Sequence, residues 1–185
     1  MLRNVDYKFF GKAKQAATIS DYYKTHIGCV AVYQGQIIGV GCNCNKTHPA
    51  QKFYNKYRKQ SDTMLPKLHA EINCINQIRH LDINFSKVKL YIYRIRKDQP
   101  YGVARPCPSC MAAIRDLGIR DIYYTTNDGY SYERLEKYKE GSVAQFVRYV
   151  EVILVIQDVL IIDHQKQGVI ALSVVMAFIM EKNIL

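Results

Sequence analysis

The spacing of apolar and polar positions changes several times along the chain, and each change marks a predicted element. From residue 4 to 22, Phe9, Ala13, Ala16, Ala17 and Ser20 recur at helical intervals, giving one narrow face suited to packing on a sheet. The runs Gly28 to Tyr33 and Gln36 to Asn43 are β-rich, and the short Gln34-Gly35 turn between them predicts a hairpin. Residues 44–67 are polar and irregular, with Pro49 and Pro66 near their ends. Helical spacing returns with Leu68, Ile72, Ile75 and Ile78, predicting a helix from Leu68 to Arg79. Lys87 to Ile95 alternates as a strand, and a loop from Arg96 to Arg105 follows it. Pro106 and Pro108 suit the mouth of a helix running from Cys107 to Leu117 and ending at Gly118. Ile119 to Thr125 is the next strand, so a parallel crossover joins it to the strand before. Asp128-Gly129 turns the chain, and Ser131 is placed to cap a further charged helix through Glu140.

The order α, ββ, α, β, α, β, α predicts an α/β protein, an α-β-α sandwich on a mixed central sheet of about five strands. Beyond Val143 the pattern loses its period, and Tyr149 to Ile156 suits a fifth strand or a helix. We therefore expect a main domain over residues 1–157 and an apolar C-terminal tail over 158–185. Gly168 to Met180 is uncharged but only 13 residues long, against the roughly 20 a membrane span needs. A packing helix or a homo-oligomer contact is expected there, and no stable membrane insertion.

Charge sharpens this picture. The net charge is +10, and because only three bases and four acids lie beyond Ser142, the first 142 residues hold 23 bases against 12 acids. A domain this basic favours anionic partners such as nucleotides or nucleic acid, unless the lysines serve solubility alone. The opening MLRNVDYKFFGKAKQ lacks the apolar run of a secretory signal, and Cys29, Cys42, Cys44 and Cys74 fall in apolar surroundings. Both features suggest a reduced, cytoplasmic protein.

Two short stretches carry chemistry: Leu68-His69-Ala70-Glu71 and Arg105-Pro106-Cys107-Pro108-Ser109-Cys110. His69, Cys107 and Cys110 supply three ligands for a tetrahedral Zn²⁺ and leave one position open, as a catalytic zinc requires. Glu71 is surplus to that count and is free to carry protons. A lone C-x-x-C also suits a redox pair or half a zinc ribbon, but no second C-x-x-C exists here and a redox pair has no need of the H-x-E. Cys42, Cys44 and His48 offer three ligands to a second, structural zinc, with no fourth evident.

The H-x-E with P-C-x-x-C is the signature of zinc deaminases acting on nucleobases, and over residues 8–140 the chain resembles the cytidine/deoxycytidylate deaminase superfamily, in its histidine-first branch. The resemblance implies a cytidine deaminase-like fold and hydrolytic deamination of cytosine at C4, or of adenine at C6. Glu71 would take the proton of the attacking water and return it to the ring and the departing amine. It implies that the backbone at Ala70 orients the base. Gly41-Cys42-Asn43 is similar to the superfamily's glycine-aromatic-asparagine, whose asparagine contacts the sugar, with Cys42 in the aromatic's place. His48 lies near this region and is a further candidate to approach the substrate. Two stretches depart from the smallest relatives: Lys97 to Arg105, and the basic-aromatic Gln51 to Lys59. Both can border the substrate mouth, or the second can be a surface turn with Phe53 and Tyr57 packed down. The expected substrate is a cytosine-containing nucleotide, deoxycytidylate foremost. The alternatives are a base within single-stranded DNA or tRNA, and a catalytically silent nucleic-acid-binding module, which the intact Glu71 opposes.

Overall fold

The computed structural model describes residues 2–58, 67–99 and 101–136. Helix α1 (Asn4–Thr18) lays Phe9, Phe10, Ala13, Ala16 and Ala17 on the sheet, as its small-residue stripe predicts. Strands β1 (His26–Tyr33) and β2 (Gln36–Cys42) form the predicted hairpin. Gln34 (φ 48°) and Gly35 (φ 81°) both take the left-handed conformation that a two-residue hairpin loop demands.

The segment expected to be irregular is ordered at both described ends. Cys44–Thr47 (β3) pairs with Lys67–Leu68 (β4) in a two-stranded ribbon, and Pro49–Tyr54 (α2) leads into a 3₁₀ turn, Asn55–Tyr57. Pro49 starts α2 because a missing amide costs nothing in a first turn. Within this segment Gln51 is wholly buried, whereas Phe53 and Tyr57, which one of the two alternatives packs down, are 56% and 40% exposed.

Helix α3 is Ala70–Ile78, two residues shorter at its start than its apolar stripe suggests, because Leu68 is spent in β4. After β5 (Lys89–Ile95), helix α4 (Pro108–Asp116) carries the chain across to β6 (Asp121–Thr126), which lies parallel to β5. The final described element corrects the sequence reading: Gly129–Arg134 is a strand, β7, antiparallel to β6, and Ser131 caps no helix. An edge strand exposes one face, so its mixture of tyrosines and charges passes for a polar helix. Tyr130 packs on Phe10 and Tyr132 on Tyr123, and the Tyr132 hydroxyl donates to Asp121.

The mixed sheet has five strands in the order β2-β1-β5-β6-β7. The fifth is thus Gly129–Arg134, while the expectations for Tyr149–Ile156, for the boundary at 157 and for the tail fall outside the described residues. Alternation along β5 divides the core. Leu90 and Ile92 face the cluster shared with α3 and α4, whereas Tyr91 and Tyr93 face α1. Helix α3 sits so close to β2 that a Cβ on Gly41 would come within 2.5 Å of the Ala70 carbonyl and the Cys74 amide. That contact seats the first turn of α3 against the sheet. Cys29 and Cys74 are buried apolar filling, as expected. Among the described residues no helix is long and apolar enough to cross a membrane.

Candidate metal centre and cavity

Two helix N-termini meet, and each delivers candidate metal ligands. His69 is the N-cap of α3, with extended backbone (φ −84°, ψ 152°), and its carbonyl accepts the first helical bond from the Asn73 amide at 3.0 Å. Cys107 caps α4 in the same way, its carbonyl accepting from the Met111 amide at 2.8 Å, and Cys110 lies one turn on. The His69 Nδ1 is 3.3 Å from the Cys110 Sγ and 3.6 Å from the Cys107 Sγ. Zn–S and Zn–N bonds of about 2.3 and 2.0 Å at a tetrahedral angle place nitrogen and sulfur about 3.5 Å apart, so the three donors fit a zinc. They are the only cluster of three or more His, Cys, Asp or Glu ligand atoms among the described residues. Cys42 and Cys44, with sulfurs 3.9 Å apart, gather no third ligand among the described residues.

The electrostatics of the donor set favour a cation. Hydrogen bonds from Cys110 and His69 hold the Cys107 thiol down to about 3, against the opposing effect of burial. Burial, reinforced by Cys107 and Glu71, pushes the Cys110 thiol well up. Glu71, only 5% exposed in the first turn of α3, is raised by burial above the ordinary carboxyl range. Burial lowers His69, but its hydrogen bond to Cys107 and the charge of Glu71 outweigh that and leave it raised. A divalent ion among these groups would relieve the crowding of negative charge.

A residue that sequence spacing does not single out braces the centre. The wholly buried Gln51 accepts the His69 amide on its Oε1 at 3.0 Å and donates through Nε2 to Ser109 at 3.2 Å and Asn55 at 2.9 Å. One side chain thereby ties the His69 segment to the turn carrying Cys110. The other imidazole nitrogen, Nε2, faces the Arg58 guanidinium at 3.4 Å.

His69, Ala70, Glu71 and Cys107 form part of the wall of a cavity of about 250 Å³. Asn43 also lines it, but its side chain is largely spent on structure: Oδ1 accepts from the Ser20 hydroxyl and the Ile27 amide, both at 2.8 Å, and Nδ2 donates to the Thr25 carbonyl at 2.7 Å. One Nδ2 hydrogen remains for a ligand. His48 does not join the site. It caps α2, its Nδ1 accepting the Ala50 amide at 3.2 Å, and is absent from the cavity wall. The loop before the cysteines does reach the site, through Val103, Ala104 and Arg105. Three cations, Lys67, Arg94 and Arg105, stand in the same wall, and of these only Arg105 lies in a segment marked by the sequence.

Residues 3–126 match the family model described as the cytidine and deoxycytidylate deaminase zinc-binding region. No curated protein matches the chain. Among solved structures it is similar to the dCMP deaminase of cyanophage S-TIM5 in apo form, with 20% identity, a TM-score of 0.48, and coverage of 67% of this chain and 84% of that one. The same phage enzyme in complex with dCMP and dUMP gives 19% identity, a TM-score of 0.48 and coverage of 67% and 82%. The cytidine deaminase of Burkholderia pseudomallei gives 14% identity, a TM-score of 0.49 and coverage of 72% and 93%.

Proposed function

This chain belongs to the cytidine and deoxycytidylate deaminase zinc-binding family, and from that membership we propose that it hydrolyses the amino group of a cytosine-containing nucleotide, converting deoxycytidylate to deoxyuridylate and ammonia. The observation that carries the reading is the meeting of His69, Cys107 and Cys110 with a buried Glu71 in the wall of one cavity. Zinc, when bound by the three ligands, makes hydroxide available from water near neutral pH. The rest falls to side chains of this chain. Burial raises Glu71, which brings its proton affinity closer to that of the groups it serves. It takes a proton from the attacking water and delivers it to the ring nitrogen, then takes the proton of the new C4 hydroxyl and delivers it to the amine, so that the C4–N bond breaks, ammonia leaves and the C4 carbonyl forms. Ala70, fully buried between His69 and Glu71, leaves room for the base edge to approach the backbone, and Asn43 in the cavity wall would offer its spare amide hydrogen to the sugar.

The test is to incubate zinc-loaded protein with deoxycytidylate, cytidylate, deoxycytidine and oligonucleotides, assaying ammonia and base identity by mass. Deoxyuridylate is the expected product. A second reading, a base within a single-stranded polynucleotide, draws on the exposed Phe53 and Tyr57, whose rings lie 4.1 and 5.2 Å from the Lys56 ammonium. Rings and cations of this kind can stack bases and follow phosphates. Deamination confined to the oligonucleotides, with steeply salt-dependent binding, would replace the first reading with the second.

A further inference from the structure

We infer that Arg94 receives the 5′-phosphate of the substrate and so selects nucleotides over nucleosides, an inference that rests on the deaminase reading above. Arg94 follows Leu90 and Ile92 on the face of β5 that packs against α3 and α4. A guanidinium at that register stands where the pattern calls for an apolar residue, at the point where the core opens into the cavity. Its Nε is buried and has no hydrogen-bond partner, the only such side-chain atom among the described residues. Its Nη1 reaches the Val103 carbonyl only at 3.4 Å. No carboxylate pairs with it among the described residues. The other cations of the wall are occupied: Arg105 grips Glu133 with two bonds of 2.8 and 2.9 Å, and Lys67 donates to the Asn45 carbonyl at 3.2 Å.

The position is built. The Arg94 amide donates to the Thr125 hydroxyl at 3.1 Å, and that hydroxyl donates to the Gly102 carbonyl at 2.6 Å. The Ala104 amide donates to the Thr125 carbonyl at 2.8 Å. The loop is thus fastened against the arginine stem, so closely that a Cβ on Gly102 would meet Arg94 Cδ at 3.0 Å. A charged side chain in the cavity wall with no carboxylate partner among the described residues leaves its counter-charge to be supplied by a ligand. A planar guanidinium with free donors and no counter-charge matches a phosphate monoester, which can take two parallel bonds from the fork.

The experiment is calorimetric titration of the zinc-loaded full chain with deoxyuridylate, and with deoxyuridine in the presence and absence of inorganic phosphate, for wild type, Arg94→Ala and Arg94→Lys. Wild type should bind the monoester at least about tenfold tighter than the nucleoside. Arg94→Ala should lose about 10- to 100-fold for the monoester with the nucleoside affinity unchanged. Arg94→Lys should recover only part, because an ammonium offers no fork. Inorganic phosphate that binds in wild type and not in Arg94→Ala also supports the assignment. It is overturned if the variants keep the wild-type discrimination, if both ligands weaken equally, or if wild type does not distinguish them, as it would be if the Nε merely holds a water. Arg94→Lys serves should the alanine variant not fold. Binding needs no turnover, so the two readings fail separately. A protein that discriminates through Arg94 yet deaminates no nucleotide refutes the activity alone. One that deaminates deoxycytidylate equally well without Arg94 refutes the phosphate site alone.

Discussion

Replacing Gln51 with leucine tests whether the zinc geometry is held from outside the ligand set. Leucine is close to glutamine in volume, so the substitution leaves little cavity and acts mainly through lost polar contacts. The His69 amide loses its acceptor, at 3.0 Å, while Ser109 keeps Asn55 as an acceptor at 3.1 Å. One semi-buried donor left unmade costs about 1–3 kcal/mol. Loss of an outer partner of a metal ligand ordinarily weakens metal binding by about 10- to 100-fold, or roughly 1.4–2.8 kcal/mol, the same range reached independently. We expect Gln51→Leu to weaken zinc binding by that factor, measured by competition with a chromophoric chelator, and to lower stability in urea by about 1–3 kcal/mol. Asn55→Ala, which removes the acceptor shared by Gln51 Nε2 and the Ser109 hydroxyl but leaves Gln51 on both the His69 amide and Ser109, should do less. Zinc affinity within about twofold of wild type and stability within about 0.5 kcal/mol would refute the bracing role, since ordinary surface substitutions do as much.

Elemental analysis should find about one zinc per wild-type chain and almost none in Cys107→Ala, because ligand loss from a three-residue site removes most of its affinity. Glu71→Gln should keep the metal and the fold while kcat falls by about 10²–10⁴-fold, read by ammonia release. Burial pushes the Asp6 carboxyl up, but bonds from the Tyr91 hydroxyl (2.6 Å) and the Arg3 amide (2.8 Å) hold it below the usual range. Its stabilisation is therefore present above its unfolded pKa of about 3.9 and is lost as pH falls through the lower folded value. Urea titrations at pH 5 and pH 3 should show the gap between wild type and Asp6→Asn narrowing at the lower pH.

The cluster of His69, Cys107 and Cys110 was legible because zinc chemistry fixes both the types and the spacing of candidate ligands, and two helix starts cannot disguise an H-x-E and a P-C-x-x-C. The hairpin was legible through Gln34-Gly35, and α1 through its stripe of small residues. Strand β7 was not, because no residue in it is fully buried and Tyr132 is itself exposed, so no apolar alternation marks it. Gln51 and Arg94 escaped for another reason. Each is a single polar residue whose importance arises from partners distant in sequence, such as Ser109 and Thr125, and no periodicity marks it. His48 was nominated by proximity, five residues from Asn43, and the structure has it capping α2.

The hairpin loop at Gln34-Gly35 also bears on how the protein can be handled. Ile27 lines the cavity near one end of β1, and Gln34 lies seven positions on, beyond its other end. At about 3.3 Å per residue, the loop is roughly 20 Å from the cavity wall. Both loop residues are exposed and their backbone is already committed to a tight reversal. A short peptide handle inserted there would let the protein be immobilised on a sensor surface by the end of the sheet remote from its cavity, leaving the Asn43 end of the same hairpin free to meet ligand in flow.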